Sequence, residues 1–571
     1  MSVVLAVKAL NQYRKRDIFP YLGLRYYLES SAGRKNRWIE EVCTRLTIDS
    51  SDFSYLRTYH FKEYSDGIFF HRDIYLPSPN EILSEVALIT ELSKFESFKP
   101  KPYVYSYLFA KESDKVGVFQ PYFNGFRERH KSIAKACWNI EGGVVLYTDI
   151  KKFYPSIEFS NALAAWEEAC ERSKISEMYR RLGRAILEKH RNVSSEDKTS
   201  KGILTGPLFS HVIANILLDK IDSEMYEITK GSYWRYVDDV VIVGSCAEVT
   251  EWRVVLENKF LELGLELHAG DKDFQVSCAE WMKGENDFED SFGSGWISLI
   301  SNIKRFLLAN PSKVKDLQEE FLKNNIRIPV VDYKNVAETS TYLQKFQDWR
   351  RKFRWATKAV KSITIDQLLL QARSCELEFS EKLNDFLSRE ELGSLYEQKR
   401  ATPKLRYLAG RLLYLTSKEN MASLYPKLEA RPDLYLLAKT MEAVCTRNLS
   451  DIARMGVNAT HAAAQLLRVE NGVVVIDKNG PNSNVLHQSL AVLELNGIDH
   501  EFVSDESELR SLAQGENIAE LMRSSNGFVR DLACLHGILP SRHQETVDSS
   551  FDRDEDLALD VLNQLQNSSH C

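Results

Sequence analysis

The chain has 571 residues, of which 44% are hydrophobic and 11% aromatic, enough for several domains with sizeable cores. Its formal net charge is only −7, so a nucleic-acid groove would have to come from local clustering of basic residues. No apolar run approaches the length of a membrane span, and the first eight residues are too short and poorly flanked for a secretory signal. We therefore expect a cytoplasmic protein without a membrane partner.

Residues 1 to about 140 mix helical stretches with aromatic-rich segments, and we expect them to form an N-terminal region. Lys111 stands in this region just before a short polar turn. Further basic residues follow at Arg127, Arg129, Lys131 and Lys135. Contact with phosphate is physically reasonable for such side chains, and a solvated basic helix face explains them at least as well.

The next feature is an acid at the end of a strand-like run. Residues 144–148 are apolar and β-branched, which favours a strand, and Asp149 follows directly. Ile150 and the aromatic pair Phe153 and Tyr154 come after it. The pattern is a strand, an acid and an aromatic pair, and its meaning depends on whether a second acid lies on a neighbouring strand.

A glycine turn and an apolar helix come next. Residues 202–210 contain Thr205, Gly206 and a proline, which predict a turn. Residues 211–222 carry apolar side chains at helical spacing. We therefore predict that the turn leads into a buried helix.

The second acidic position is the tetrad Tyr236, Val237, Asp238 and Asp239, which lies between two strand-like runs. Adjacent ionised carboxylates repel each other, and placing them beside an apolar core costs stability unless a cation compensates. A solvated turn is the commoner explanation for one such pair. With Asp149 on a neighbouring strand, a divalent metal becomes the better interpretation.

These three segments, in this order, resemble the palm of reverse transcriptases, with the tetrad matching the family's Tyr-x-Asp-Asp box. The resemblance implies an α+β right-hand polymerase whose palm, residues 141–300, contains an antiparallel sheet. By the same resemblance, Asp149, Asp238 and Asp239 are the catalytic residues and bind Mg²⁺, or Mn²⁺ in its place, with the backbone carbonyl of Ile150 completing the site. Two metals of this kind serve nucleotidyl transfer by activating the attacking hydroxyl and stabilising the leaving oxygen.

The resemblance also implies residues that bind the nucleotide. Tyr154, beside Phe153, corresponds to the aromatic that crowds a ribose 2′-hydroxyl and so favours deoxynucleotides; packing of both rings in the core is the alternative. Gly206, next to Thr205, corresponds to the backbone position under a template or incoming base. The Thr-Gly-Pro sequence departs from the family's commoner Gln-Gly pair and is closer to retron-like and phage-defence-associated members.

Two lysines complete the expected nucleotide site. Lys272 resembles the lysine of a later palm motif that approaches the departing pyrophosphate, although one lysine in an acidic stretch is usually just solvated. Lys111 precedes a turn in the region expected to form the fingers, residues 1–140. The usual fingers arginine is missing from this segment, so the fingers are divergent and the residues that bind the triphosphate stay open.

Downstream of the palm, residues 301–365 form a basic helical region like a polymerase thumb. Aromatic residues recur there at helical spacing, while lysines and arginines crowd the same stretch. Clustered basic side chains neutralise phosphates and release counterions, so we expect nucleic-acid binding rather than a merely exposed helix face. The candidate residues are Arg350, Arg351, Arg354 and Lys358.

Residues 366–571 show amphipathic helical stretches at irregular intervals and predict an irregular α-helical-repeat C-terminal domain. This layout resembles the abortive-infection reverse transcriptases of the bacterial defence-associated "unknown group". The resemblance implies deoxynucleoside triphosphates as substrates, a DNA product and a homo-oligomer acting in antiviral defence. It also implies synthesis without a conventional template or primed from a protein hydroxyl, and leaves an RNA template or non-coding RNA partner open.

An RNA-directed RNA polymerase shares the palm, and the ring at Tyr154 is what favours DNA over it. Three further alternatives accompany this hypothesis. One is a scaffold that binds RNA or protein and keeps a silent palm, and another is a templated reverse transcriptase that works with a non-coding RNA. The third comes from Arg530 and His536, which resemble the Arg-x(4 to 6)-His signature of metal-independent HEPN ribonucleases. That match is short and frequent by chance, and an amphipathic core helix explains it more simply.

Overall fold

A computed structural model describes most of the chain. The described ranges are residues 2–13, 17–30, 37–48, 54–111, 117–283, 293–330, 363–389, 395–470, 472–477, 484–500, 507–539 and 542–550.

Three helices, a long hairpin and a fourth helix begin the fold: α1 (Ser2–Tyr13), α2 (Ile18–Glu29), α3 (Trp38–Ile48), β1 (Tyr55–Ser65), β2 (Ile68–Pro77) and α4 (Pro79–Leu92). Strands β1 and β2 pair antiparallel, from Tyr55 opposite Pro77 to Ser65 opposite Ile68. Helix α4 is almost entirely buried, because α1, α2, α3 and later helices pack around it.

A four-stranded antiparallel sheet forms the centre of the next region, in the strand order β4-β5-β3-β6. Its strands are β3 (Val144–Asp149), β4 (Tyr233–Tyr236), β5 (Asp239–Gly244) and β6 (Phe274–Ser277). The helices of this region are α5 (Tyr122–Trp138), α6 (Phe153–Ser156), α7 (Phe159–Glu171), α8 (Glu177–Asp197), α9 (Leu208–Ile228), α10 (Cys246–Glu262) and α11 (Cys278–Met282). The predicted glycine turn does lead into a buried helix, α9.

Both faces of this sheet are covered. One face joins a large core in which Leu146, Val240 and Ile242 meet helices α7 to α10 and the N-terminal helices. The other face carries Val145 and Val241, which pack against α5 and α11 in a smaller core. Central strands that are buried on both sides read as continuous apolar runs, which explains the sequence of β5.

A second large core lies downstream and is helical. Its elements are α12 (Ser294–Ala309), α13 (Val314–Lys323), α14 (Ile365–Arg389), α15 (Leu395–Leu415), α16 (Lys418–Glu429), α17 (Tyr435–Thr446), α18 (Ser450–Met455), α19 (Val457–Leu467) and α20 (Asn484–Leu495). Phe61 and Phe69 of the β1–β2 hairpin also pack against this core. Helices α12 and α13, from the expected palm and thumb-like regions, thus share a core with the expected C-terminal domain.

The last four described helices return to the N-terminal region. They are α21 (Glu508–Gln514), α22 (Ile518–Leu521), α23 (Gly527–Gly537) and α24 (His543–Ser550). Helix α23 packs on α2 and α4, and α24 packs on α2. The hydroxyl of Ser78, which precedes α4, donates a 2.7 Å hydrogen bond to Asp531 of α23. The first and the last of the described helices therefore contribute to one core.

The fold is α+β, as the sequence predicts: it is largely helical and contains two small antiparallel sheets. The right-hand polymerase arrangement and the domain boundaries stay predictions. The basic residues Arg350, Arg351, Arg354 and Lys358 lie outside the described residues. In the part of the chain that is described, no helix combines the length and the apolar character needed to span a bilayer.

Candidate active site

Asp149 and Asp239 face each other across the central strand pair of the sheet. Asp149 ends β3, Asp239 begins β5, and they are direct partners in the antiparallel register. Asp238 belongs to the two-residue loop between β4 and β5, and its carbonyl accepts a 3.1 Å hydrogen bond from the amide of Ile150. All three acids thus lie at the same end of the two central strands.

The three carboxylates form a compact buried group. One carboxylate oxygen from each of Asp149, Asp238 and Asp239 can be chosen so that all lie within 4.8 Å of one another. The residues are 4%, 9% and 2% exposed, and the Oδ1 atom of each is buried without a hydrogen-bond partner among the described residues. Unsatisfied buried acceptors at such spacing fit a divalent cation, and all-oxygen donors suit Mg²⁺.

Burial and mutual repulsion disfavour the charged forms of these acids. Burial, and then the charges of Asp239 and Asp149, raise the pKa of Asp238 well above its usual range. Burial likewise raises the pKa of Asp239 to about 7, although the charge of Arg129 and a hydrogen bond from Tyr147 act in the opposite direction. A bound cation would relieve both effects, since opposite charge favours the ionised carboxylate.

The loop that carries Asp238 is held in a conformation that its residues do not prefer. Val237 has φ of +57°, the left-handed region that β-branched residues avoid. Its amide donates a 2.8 Å hydrogen bond to the Ser106 hydroxyl, and its carbonyl accepts one of 2.8 Å from Nη1 of Arg235. These two contacts fix both sides of the strained residue.

A buried ion pair lies beneath this loop. The Arg235 guanidinium contacts Asp222 of α9 through two nitrogens, with Nε to Oδ1 at 2.8 Å and Nη2 to Oδ2 at 2.7 Å. Tyr233 donates a further 2.8 Å hydrogen bond to Asp222, and Arg235 Nη1 donates one of 3.2 Å to Asn215. Bidentate pairing of this kind orients the arginine rigidly, so α9 supports the loop that carries Asp238.

Basic residues from three elements surround the acids. Lys272 donates a 3.1 Å hydrogen bond to Oδ2 of Asp149, which places this predicted pyrophosphate ligand at the acidic cluster. His268 donates its amide to the Asp149 carbonyl at 2.7 Å. Arg72 of β2 lies near enough for its charge to lower the pKa of Asp238. Arg129 of α5 is 1% exposed and lies against the Tyr236 ring.

The predicted aromatic pair lies shortly after Asp149, at the start of the short helix α6. Phe153 is buried in the core, as the alternative interpretation of this residue states. Tyr154 is only half-buried, and its hydroxyl lies 2.6 Å from Nδ1 of His211 on α9. The two rings therefore differ: Phe153 anchors the short helix α6, and Tyr154 stands at the boundary of the core.

The glycine turn packs directly on β2. Thr205 accepts a 2.8 Å hydrogen bond from the amide of Tyr75, and Gly206 has φ of +123°. A Cβ atom at Gly206 would lie 2.4 Å from the carbonyl oxygen of Tyr75. The close approach of two backbones accounts for this glycine, and its predicted position under a base stays untested.

Glu85 of α4 caps the helix that follows this turn. One carboxylate oxygen accepts hydrogen bonds from the amides of Leu208 (2.7 Å) and Phe209 (3.2 Å), which are orphan donors of the first turn of α9. The carboxyl is fully buried, and burial raises its pKa to about 8. The cap connects α4 to the helix that supports the loop carrying Asp238.

The remaining sequence candidates lie elsewhere. Lys111 is exposed and directly precedes residues 112–116, which are outside the described ranges. Of the HEPN-like pair, His536 is buried against Tyr26 and His543, and burial lowers its pKa to about 4. Arg530 donates to the carbonyl of Ser524. These contacts favour a structural role for α23.

Sequence reasoning missed several residues of this site. Arg72 and Arg235 lie outside the three motifs, Arg129 was noted only as one of several basic residues, and His211 and Asp222 were noted only as part of the apolar helix. Their positions in the fold bring these residues together. One signal was available in the sequence: Arg235 directly precedes the tetrad, within a strand that is otherwise aromatic. A charge inside a buried strand requires a buried partner.

The chain was also compared with known proteins. None of the protein-family models matches it, and no curated protein is similar to it.

Proposed function

We propose that the protein is a DNA polymerase of the reverse-transcriptase type, which transfers deoxynucleotides with the help of Mg²⁺. The observation that carries this proposal is the clustering of Asp149, Asp238 and Asp239 at one edge of an antiparallel sheet. Asp238 comes from the tight hairpin loop, Asp239 begins the strand after it and Asp149 ends the adjacent strand, as the resemblance to a polymerase palm requires. Buried unpaired carboxylate oxygens without a cation would be costly, which supports a metal-binding role.

Each acid has a distinct position for this chemistry. Bound Mg²⁺ would activate the attacking 3′-hydroxyl and stabilise the oxygen that leaves with pyrophosphate. Asp149 and Asp238 would hold the ions, while Asp239, paired with Asp149 across the strands, assists. The backbone carbonyl of Ile150 would complete the site. Arg235 and Ser106 keep the loop fixed, so little reorganisation is needed during the reaction.

The surrounding side chains suit a nucleoside triphosphate. Lys272, already at Asp149, would turn to the departing pyrophosphate once cations occupy the carboxylates. Arg72 on the β1–β2 hairpin supplies further positive charge near Asp238. Tyr154 would crowd a 2′-hydroxyl and so favour deoxynucleotides. Guanidinium and ammonium groups are the usual partners of phosphate oxygens.

We further propose that the protein acts in bacterial antiviral defence as a cytoplasmic homo-oligomer, and that it makes DNA without a conventional template, starting from a protein hydroxyl. The support is the layout of the sequence, in which a largely helical half follows the palm and resembles abortive-infection reverse transcriptases. Arg350, Arg351, Arg354 and Lys358 would bind the nucleic-acid backbone.

The first experiment measures nucleotide incorporation by the purified full-length protein. The protein is incubated with each labelled deoxynucleoside triphosphate and Mg²⁺, with no template or primer. We expect polymer from the wild type and none from Asp238→Asn or after chelation of the metal. Asp316→Asn is the matched control, because Asp316 is an exposed aspartate on α13. Absence of product under all conditions, together with an unchanged cellular phenotype for Asp238→Asn, would refute the polymerase and favour a scaffold.

The second experiment separates the modes of synthesis. Reactions with and without RNA or DNA templates are compared, and the products are sequenced. A product independent of the template supports untemplated synthesis, whereas a product complementary to an added RNA supports a templated enzyme that uses a non-coding RNA. Labelled DNA that stays with the protein through phenol extraction establishes priming from a protein hydroxyl.

A further inference from the structure

His211, on the first turns of α9, has no role in the proposed chemistry and yet lies at the centre of an aromatic cluster. It is 3% exposed and stacks on the ring of Tyr107, with ring centroids 3.7 Å apart and planes 8° from parallel. Phe119 meets the same imidazole edge-on, with centroids 6.2 Å apart. The imidazole is thus held on its flat face and at its edge.

The polar contact of His211 is directed at Tyr154. Nδ1 of the imidazole and the tyrosine hydroxyl are 2.6 Å apart, and the two rings meet at 73°. Tyr154 itself is half-buried and belongs to the four-residue helix α6, which gives its ring little support of its own. A hydrogen bond to a clamped imidazole therefore restricts the orientation of the tyrosine ring.

The residues that hold the imidazole also contact the loop that carries Asp238, which is the catalytic loop of the proposed polymerase. Tyr107 has φ of +50°, a strained value for a non-glycine residue, and it directly follows Ser106, whose hydroxyl accepts from the amide of Val237. Asn215, one turn after His211 on α9, donates a 3.2 Å hydrogen bond to the Ser106 carbonyl. Helix α9 thus holds residues 106–107 at two points, and those residues contact both the catalytic loop and the imidazole.

We infer that His211 is a positioning residue, which holds the Tyr154 ring against the sugar of the incoming nucleotide and thereby sets the preference for deoxynucleotides. This inference rests on the proposed polymerase function. Discrimination by collision requires a ring that cannot move aside, because a mobile ring yields to a 2′-hydroxyl at little cost. His211 would act on selectivity through Tyr154, without touching the substrate.

The test compares two substitutions that remove different properties of His211. His211→Phe keeps a flat ring to stack on Tyr107 and loses the hydrogen bond. His211→Asn loses the ring and keeps a hydrogen-bonding atom close to the position of Nδ1. A purely structural role predicts that phenylalanine is the better replacement, whereas a positioning role predicts that asparagine is.

The readout is the ratio of kcat/KM for a deoxynucleotide to kcat/KM for the matching ribonucleotide. We expect His211→Phe and Tyr154→Phe each to lower this ratio about fivefold, the effect of one hydrogen bond. The double variant should fall no further than Tyr154→Phe alone, and His211→Asn should stay closer to the wild type. His190→Phe is the control, because His190 is a fully buried histidine of α8 whose ring nitrogens have no hydrogen-bond partner among the described residues.

Two results would overturn the inference. If His211→Phe keeps the wild-type ratio while Tyr154→Ala lowers it, the polymerase and its sugar discrimination stand and His211 does not position the ring. If the wild type incorporates no nucleotide at all, the proposed function fails, and the inference fails with it.

Discussion

Arg235 and Asp222 form an ion pair that is excluded from solvent, with Nη2 to Oδ2 at 2.7 Å and both side chains at most 1% exposed. The pair lies beneath the loop that carries Asp238, and Arg235 also donates to the carbonyl of Val237. Two buried charges that satisfy each other by bidentate contact contribute little net stability. Their effect is to determine where the loop lies.

Breaking this pair should be costly, because the remaining partner would be a buried charge without compensation. We expect Asp222→Asn or Arg235→Met to lower the free energy of unfolding by about 3–5 kcal/mol. Replacing both residues, as Arg235→Met with Asp222→Leu, should cost less than the worse single change. Urea unfolding followed by circular dichroism measures this. The control is Arg181→Ala in an exposed pair with Glu177, where we expect a change of about 0.5 kcal/mol or less. Single variants as stable as that control would contradict the interpretation.

Metal binding should appear as a change in stability. Asp238→Asn removes a buried carboxyl whose ionisation is disfavoured by burial and by its acidic neighbours, so without metal, at a pH where that carboxyl is ionised, the variant should melt at a higher temperature than the wild type. Added Mg²⁺ should raise the melting temperature of the wild type and leave that of the variant nearly unchanged. At a Mg²⁺ concentration ten times the dissociation constant, the free energy of unfolding of the wild type should rise by about 1.4 kcal/mol. Differential scanning calorimetry with and without chelator gives both values. Equal Mg²⁺ responses in the two proteins would argue against a metal site here.

The Glu85 cap predicts a specific dependence on pH. Because burial raises the folded-state pKa to about 8, above the unfolded value, this carboxyl costs no stability at low pH. The free-energy cost of ionising this buried carboxyl grows as the pH rises from the pKa of the unfolded state towards 8, and it is constant at higher pH. Glu85→Gln keeps an oxygen acceptor for the two amides of α9 and removes the titration. Relative to the wild type, the variant should gain roughly 2 kcal/mol between pH 6 and pH 8.5.

The same measurement on Glu227→Gln serves as the control, since Glu227 is exposed near the other end of α9. We expect no comparable gain there. A wild-type-like pH profile for Glu85→Gln would show that this carboxyl is already ionised in the folded protein at pH 6.

The tight approach at the glycine turn gives a further prediction. Gly206→Ala would bring Cβ to 2.4 Å from the Tyr75 carbonyl oxygen, so β2 or the turn has to move. We expect the free energy of unfolding to fall by about 2 kcal/mol or more, in addition to the cost of a positive φ, as measured by thermal unfolding. Gly142→Ala gives a lower bound of about 1 kcal/mol for the cost of a positive φ, because Gly142 has φ of +68° and nothing within 4 Å of a Cβ atom. Equal losses at both positions would refute the steric explanation.

The last prediction concerns the C-terminal helix α23. Leu532 is fully buried, and its side chain lies next to Gly23 of α2. We expect Leu532→Ala to cost about 2–5 kcal/mol, as for other core leucines, and to destabilise the N-terminal helices in the same transition. Leu377→Ala, at a leucine that is 65% exposed, should have little effect. Hydrogen exchange that reports loosening in α23 alone, with α2 unaffected, would contradict a shared core.

The sequence indicated the acids because strand and turn signals are local. Residues 144–148 and 240–244 are continuous apolar runs, and each run places an aspartate at its end. The pairing of Asp149 with Asp239 then follows from an antiparallel register. The long β1–β2 hairpin and its Arg72 were not predicted, because aromatic and charged residues are mixed in these strands without the regular alternation that indicates a strand.

Contacts between residues that are distant in the sequence could not be predicted from local sequence patterns. The pairing of Asp222 with Arg235 depends on how α9 lies against β4, and the contact of His211 with Tyr154 depends on how α9 lies against α6. The hydrogen bond between Ser78 and Asp531 spans 453 residues. Such contacts are determined by the packing of whole elements, which the residue types alone do not specify.

The packing of α23 on α2 and α4 has a consequence for the timing of biosynthesis. Asp149 and Leu532 are made far apart in time: at about 5–20 residues per second, the intervening chain takes about 20–80 s to translate. Until then the surfaces of α2 and α4 that face α23 have no cover, so the nascent N-terminal region is exposed to aggregation. A ribosome that stalls or terminates early would release a chain with all three acids present and this core unfinished. A fully covered N-terminal core thus requires translation through α23.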